Sequence, residues 1–281
     1  MNKADLHTHT TASDGLHRPE ENVRMAKEAG LAAIAITDHD TTAGIQEAQK
    51  AGHALGVEVV PGVEISTSYE GQEVHVLGYY IDPADSQLTS RLHSQRSVRE
   101  RRNESILERL NGLGIPITMA MVEEAAGRQP GKDETIGRPH IAEAMVRLGT
   151  VASVQEAFDR YLAEGKPGYV NPPERISPVE AFRWIHEAGG TAIVAHPGLY
   201  GNDALAEKLL LNGADGLEAY HSDHGPEAEA FFREIAERHG KFVTGGSDFH
   251  GARKGKLYHG AIGNRTVDAS MLAQLRRNAG M

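Results

Sequence analysis

The 281-residue chain contains no cysteine. Disulfides, thiolate nucleophiles and Cys-based zinc or iron–sulfur sites are therefore excluded, and any metal must be held by histidine and carboxylate. Long apolar runs are also missing, since nothing approaches the roughly 18 residues that a membrane span requires. The first residues lack a basic region followed by an apolar stretch, so no signal peptide is expected and the expected setting is cytoplasmic. There is no surplus of positive charge: 29 Lys and Arg stand against 39 Asp and Glu, a formal net charge of −10. A broad duplex-binding surface shows the opposite balance, so no duplex DNA partner is expected. A small anionic substrate remains compatible, because local charge can differ from the total.

What is present is an ordinary globular composition, 40% hydrophobic and 24% charged, long enough for one domain or a domain with an insert. The anomaly is fifteen histidines. Short apolar runs bounded by Gly, Asp or Pro read as strands: KADLH, LAAIAIT, VEVVPGVEIS, EVHVLGYY, TAIVAH, DGLEAY and KFVTGG, with HGAIG a weaker eighth. PEENVRMAKEAG, TTAGIQEAQKAGHALG, SPVEAFRWIHEAGG, DALAEKLLLNGA and GPEAEAFFREIAERHG read as amphipathic helices, several ending at Gly. Strands alternating with helices predict mostly parallel βα units in a barrel or doubly wound sheet. From about Asp82 to Pro172 the pattern is helical and strandless, too long for a loop. It predicts a helical subdomain, residues 82–172, inserted into an α/β barrel made of 1–81 and 173–281.

The histidines and acids recur near strand ends. His7 and His9 alternate, so they share a face, and Asp14 follows in the loop. The second run ends in Asp38-His39-Asp40, the third carries Glu64, and the fourth carries His75 between valines. The fifth ends at His196, the sixth gives Glu218, His221 and His224, and the seventh ends with Asp248 and His250. Any one of these could be a hydrogen-bonded structural residue. Seven successive strands each delivering such a group to the edge where α/β folds build sites predicts a multinuclear metal site.

LHTHTTASDG, AITDHD, PGVEIS, HVLGYY, AHPG, GLEAYHS and GSDFH together resemble the PHP (polymerase and histidinol phosphatase) phosphoesterases over essentially the whole barrel. GRPHIA and LAEGKPGYV further resemble the branch acting on 3′,5′-nucleoside bisphosphates and the related 5′-to-3′ exoribonucleases. The resemblance implies a distorted seven-stranded (β/α) barrel with up to three divalent metals, Mn, Fe or Zn, with Mn favoured. Carried over residue by residue, His7, His9, Glu64 and Asp248 would hold one ion. Glu64, His75 and His196 would hold a second, and Asp14, His39 and His250 a third. All nine positions keep the expected residue type.

Three divalent ions against the three carboxylates Asp14, Glu64 and Asp248 would leave the site about three charges positive, able to attract a phosphate dianion. Activated water would then attack phosphorus in line, with no covalent intermediate. The candidate catalytic residues are His196, among the ligands, and His221, a proton donor to the leaving oxygen or else a structural hydrogen-bond partner. For substrate selection the insert offers Arg99, Arg138, His140 and Lys166. Arginine suits bidentate recognition of a second phosphate, although Arg99 lies in a helix rich in Glu–Arg pairs at helical spacing. The expected activity is release of one phosphate from a 3′,5′-nucleoside bisphosphate. Exoribonuclease action on short 5′-phosphorylated RNA, histidinol-phosphate hydrolysis and a noncatalytic binding module are the alternatives. IHEAGG lacks the second histidine of HExxH, and GARKGK has the wrong spacing for a P-loop. His17, His53, His93, His186 and His239 read as surface or packing residues.

Overall fold

A computed structural model of the chain describes residues 2–127, 135–171, 175–253 and 256–280. Seven strands form the barrel wall: β1 (Lys3–Asp5), β2 (Ala33–Ile36), β3 (Glu58–Tyr69), β4 (Gln72–Tyr79), β5 (Thr191–Val194), β6 (Gly216–His221) and β7 (Phe242–Gly246). Two short strands, β8 (Ala252–Arg253) and β9 (Lys256–Leu257), pair with each other, while β10 (Val267–Asp268) lies antiparallel on β1. The main sheet runs β10-β1-β2-β3-β4-β5-β6-β7. It closes where the Leu6 N–H donates to the Gly245 carbonyl (3.2 Å) and Thr8 bridges Phe249.

Six of the seven wall strands run as the sequence pattern predicts. The fourth does not follow the parallel scheme: β4 is antiparallel to both β3 and β5. Only Glu70 and Gly71 separate β3 from β4, both at positive φ (50° and 85°). A parallel connection needs a crossover of a dozen or more residues, so a two-residue turn dictates a hairpin. His75 therefore reaches the barrel mouth from the N-terminal half of its strand, opposite Ser66. HGAIG is not a strand either. His259 and Gly263 sit at positive φ (53° and 84°), and the Gly263 N–H is taken by Asp5 Oδ2 (2.8 Å). The eighth strand is β10.

The expected helices appear as α1 (Pro19–Glu28), α2 (Ile45–Leu55), α7 (Pro178–Glu187), α8 (Asp203–Leu211) and α9 (Pro226–Arg238); α10 (Ser270–Asn278) ends the fold. Their apolar faces pack on the outward residues of the wall, where Ile34, Ile36, Val74, Val76, Val194 and Leu217 belong to one buried cluster with Phe182 and Phe232. A second cluster, with Ala33, Ala35, Val60, Leu77, Tyr79 and Ile193, joins the alternate strand residues to Leu272 and Leu275 of α10.

Between β4 and α7 the regular elements of the described residues are helices: α3 (Ser86–Gly112), α4 (Met119–Ala126), α5 (Arg138–Arg147) and α6 (Val154–Ala157), which continues into a π-helical turn, Phe158–Leu162. The 27-residue α3 starts on an Asp85 side chain that accepts the Leu88 N–H (2.6 Å). Its first half contributes Leu88 and Leu92 to the barrel cluster, and its second half contributes Ile106 and Leu110 to a separate core with Ile141, Met145 and Leu162. Thus α3 fixes the helical segment over the barrel mouth. Among the described residues, no helix is long and apolar enough to cross a membrane.

Candidate metal centre

All nine histidines and carboxylates singled out above meet at the barrel mouth. His7 and His9 bring their Nε2 atoms to 3.1 Å of each other. His9 Nε2 lies 3.1 Å from Asp248 Oδ1 and 3.3 Å from Glu64 Oε2. Glu64 is central: its Oε1 stands 2.9 Å from His75 Nδ1 and 3.1 Å from His196 Nε2, and its Oε2 stands 2.9 Å from His39 Nδ1. Asp14 Oδ1 lies 3.2 Å from His250 Nε2, and Asp14 Oδ2 lies 3.8 Å from His39 Nε2. Potential ligand atoms of His9, Asp14, His39 and His250 lie within 4.8 Å of one another, as do those of His7, His9 and Asp248, and of His39, Glu64 and His75.

Two features show that this donor set fits cations. First, Asp14 Oδ1, Glu64 Oε2, Asp248 Oδ1, His39 Nδ1, His75 Nε2 and His196 Nδ1 are buried without a hydrogen-bond partner. Buried polar atoms are rarely left so, and the carboxylate oxygens and His39 Nδ1 among them lie in the ligand cluster, with His39 Nδ1 2.9 Å from Glu64 Oε2. Second, the tautomer of His7 is fixed from behind. Glu218, itself fully buried, holds His7 Nδ1 at 2.9 and 3.0 Å, which turns the Nε2 lone pair inward. Glu218 Oε2 also accepts the His196 N–H (2.9 Å), so one carboxylate orients two ligand residues.

The electrostatics agree. Burial opposes charge on Asp14, yet His39 and His250 hold its carboxyl well below the usual range; His39 and His75 do the same for Glu64. Burial pulls the His9 imidazole down, but the Asp248 and Glu64 carboxylates outweigh this and lift it to about 10. His196, where burial dominates, falls to about 4 and stays neutral, as a ligand must. Asp40, His196, Asp248 and His259 all adopt positive φ (54°, 25°, 51° and 53°), non-glycine strain that concentrates around this site.

Behind Asp248 lies His221, fully buried. Its Nδ1 accepts the Asp223 N–H (3.1 Å), and its Nε2 faces Asp248 Oδ2 at 3.2 Å. Both nitrogens are thus engaged within the protein. His259, which the sequence reading left inside an expected strand, faces the cleft instead: its Nε2 is 3.5 Å from Asp248 Oδ2 and its Nδ1 is 2.5 Å from Asp223 Oδ2.

The insert residues divide. Arg99 is partly buried, with Nη2 2.6 Å from Ser66 Oγ and 3.2 Å from Asp40 Oδ2. Arg138 Nη2 stands 3.7 Å from Glu73 Oε2. Two further arginines, unmarked by any sequence motif, join them: Arg175 Nη1 is 3.3 Å from Glu73 Oε1, and Arg102 Nε donates to the Val170 carbonyl (3.1 Å). Arg99 Nε, Arg102 Nη2 and both terminal nitrogens of Arg175 are buried without hydrogen-bond partners. Burial, then repulsion from Arg138, lowers Arg102 to about 10, and burial with repulsion from Arg99 lowers Arg175 as well. Burial lowers Arg99 too, but the Asp40, Glu73 and Asp14 carboxylates outweigh it and raise this group. Glu73 ties these arginines to the metal ligands, because its Oε1 is also 3.6 Å from His75 Nε2. His140 Nδ1 accepts the Gly137 N–H at the start of α5 (3.1 Å). Lys166 is exposed, between Glu164 and Tyr169 that line the cleft of Arg138 and Arg175, and is not itself part of that lining.

A cleft of about 480 Å³ opens directly above the ligands, roofed by Pro139, Phe158, Leu199 and Tyr258.

Comparisons with known proteins agree with this site. The PHP domain model matches residues 5–169. A 3′,5′-nucleoside bisphosphate phosphatase of Chromobacterium violaceum is 37% identical over 263 residues, covering 91% of this chain and 90% of that protein. The 5′-3′ exoribonuclease Rnm of Escherichia coli is 37% identical over 253 residues, covering 88% of this chain and 84% of that one. A solved structure assigned to a metal-dependent phosphoesterase of Bifidobacterium adolescentis superposes with a TM-score of 0.88 at 34% identity, covering 98% of this chain and 96% of that one.

Proposed function

The chain belongs to the PHP domain family of metal-dependent phosphoesterases, and on that premise we propose that it removes one phosphate from a 3′,5′-nucleoside bisphosphate, such as adenosine 3′,5′-bisphosphate. The observation that carries this reading is the arginine cluster beside the ligand cluster, both reached by the single carboxylate of Glu73. A monophosphate has no use for four guanidinium groups, those of Arg102 and Arg175 buried and those of Arg99 and Arg138 partly so, on one flank. A second phosphate does, since guanidinium N–H groups pair with phosphate oxygens in charge-assisted bonds of about 1.5–3 kcal/mol each.

His7, His9, Asp14, His39, Glu64, His75, His196, Asp248 and His250 would hold three divalent ions, with Mn favoured over Fe and Zn. His9 and His39 each lie in two of the overlapping ligand groups, which suits ions close enough to share a substrate. When bound, such ions lower the pKa of coordinated water and offset charge on the phosphoryl oxygens. The protein's own groups do the rest. Arg175, Arg138, Arg102 and Arg99 anchor the distal phosphate. Phe158, Leu199, Pro139 and Tyr258 enclose the nucleoside and exclude water. Glu218 and His221 hold His7 and Asp248 in orientation. We place His221 in this supporting role, because both of its ring nitrogens already have protein partners. A cytoplasmic setting suits this substrate class.

The test is product analysis with manganese-reconstituted protein. Adenosine 3′,5′-bisphosphate should yield 5′-AMP and phosphate, while 5′-AMP, 3′-AMP and histidinol phosphate react at least tenfold more slowly. Equal rates on all four would sink the role of the arginines.

A further inference from the structure

The helical insert touches the metal-ligand loops through a residue that substrate selection does not use. Thr135 lies just before α5 and is buried. Its N–H donates to the carbonyl of Ala12, in the loop that carries Asp14 (2.8 Å), and its Oγ1–H donates to the His39 carbonyl (2.7 Å). One residue thus ties the loop after β1 to the loop after β2. Asp38 ties the same loops from within, accepting from the Thr10 N–H (2.8 Å) and the Ser13 hydroxyl (2.6 Å). Thr135 ties them from the insert. The backbone then passes close over the ligands, since a methyl group added at Gly137 would lie 3.8 Å from Asp14 Oδ2. Behind it, the buried Asn103 of α3 donates from Nδ2 to the Ile136 carbonyl (3.0 Å). The same helix also grips Asp40: Arg96 Nη1 donates to its carbonyl (2.5 Å) and Arg99 Nη2 to its Oδ2 (3.2 Å). Asp40 follows His39 directly and stands at positive φ (54°), a strained turn that must be held by its surroundings. Here the insert supplies much of the hold.

We propose that Thr135 is a positioning residue for the ion of Asp14, His39 and His250, so that the insert completes the metal centre as well as selecting the substrate. The inference rests on the reading that the nine ligand residues hold three ions. Potential ligand atoms of Asp14, His39 and His250 lie within 4.8 Å of one another, yet they come from three separate loops, after β1, β2 and β7. Loops fixed beforehand lose less freedom when a ligand binds, and partners behind a ligand residue set its orientation. Holding the His39 carbonyl fixes the peptide from which that imidazole projects. Holding the Ala12 carbonyl does the same for the loop of Asp14. The hydroxyl of Thr135 touches no ligand atom itself, so it acts only through the residues it holds.

The experiment measures Mn²⁺ bound to the chelator-treated full chain by equilibrium dialysis and metal analysis, independently of turnover. It compares wild type with Thr135→Val, which keeps the size and the main-chain N–H but removes the hydroxyl, and with Thr135→Ser, which keeps the hydroxyl. Thr135→Val should bind one ion about tenfold more weakly and the other two as wild type does. Thr135→Ser should restore that ion. Asp14→Asn should weaken the same ion, and adding Thr135→Val to it should cause no further loss, because both changes act on one site. An unchanged titration in Thr135→Val would overturn the inference. Equal weakening of all three ions, failure of serine to restore the lost one, or a further loss in the double variant would reduce Thr135 to a general structural role and overturn it as well. Wild-type protein that binds fewer than three ions would overturn the three-ion reading beneath, and the inference with it.

Discussion

Glu218→Gln isolates the orienting layer from the ligands themselves. Both Glu218 oxygens face His7 Nδ1 (2.9 and 3.0 Å), and Oε2 also accepts the His196 N–H (2.9 Å). Glutamine keeps one acceptor oxygen and replaces the other with an NH₂ donor, which in either orientation faces His7 Nδ1 and in one of them faces the His196 N–H as well. In either case His7 becomes free to turn or to change tautomer. Removing such a partner typically weakens metal binding about 10–100-fold, equivalent to about 1.4–2.7 kcal/mol. The assay is phosphate release as a function of free Mn²⁺. The half-saturating concentration should rise by about that factor, and the plateau rate should stay within a few-fold of wild type. An unchanged half-saturation would refute the orienting role. A collapsed plateau at unchanged half-saturation would instead place Glu218 in the chemical step.

Other predictions follow from the same geometry. Arg175→Ala removes a buried guanidinium that contributes about 1.5–3 kcal/mol of charge-assisted hydrogen bonding, so kcat/KM for the bisphosphate should fall roughly 10–150-fold with little change on 3′-AMP, as steady-state kinetics on the two substrates would show. Glu73→Gln frees Arg138 and Arg175 from their shared carboxylate and should lower KM for the bisphosphate; a raised KM would count against a phosphate at that position. Far from the centre, His186 Nε2 lies 2.7 Å from Asp215 Oδ2, and that hydrogen bond raises the His186 pKa. A histidine raised on folding stabilises fully below its unfolded value of about 6.5 and loses that contribution as pH rises through the folded value. The melting temperature of His186→Gln should therefore fall below wild type at pH 5.5 and converge with it at pH 9.

Much of this was legible before any coordinates. The nine ligand positions lie at or beside apolar runs; hydrophobic period put those runs in a barrel or doubly wound sheet, and the PHP resemblance chose the barrel. The direction of β4 was harder, because VEIS and EVHVLGYY look alike as strands whichever way they run. The informative signal was the two-residue Glu70-Gly71 connection, too short for a crossover. His259 was hidden for a related reason: HGAIG has strand-like composition, and only its glycine-supported backbone turns the imidazole back toward Asp248. Arg102 and Arg175 carry no motif. One lies in a helix whose charges look solvated, the other near the start of α7, and only folding brings both to Glu73 or its neighbours. Lys166 shows the converse, a plausible cation in a matching motif whose side chain stays in solvent.

The most direct test of the metal-centre account is a titration of chelator-treated protein with Mn²⁺, following bound metal and phosphate release from adenosine 3′,5′-bisphosphate in the same samples. The account predicts no turnover without metal and a rate that saturates as about three ions bind per chain, the number proposed above for the nine ligand residues. Full turnover in excess chelator, or metal binding to the same level with no hydrolysis of the bisphosphate, would contradict it.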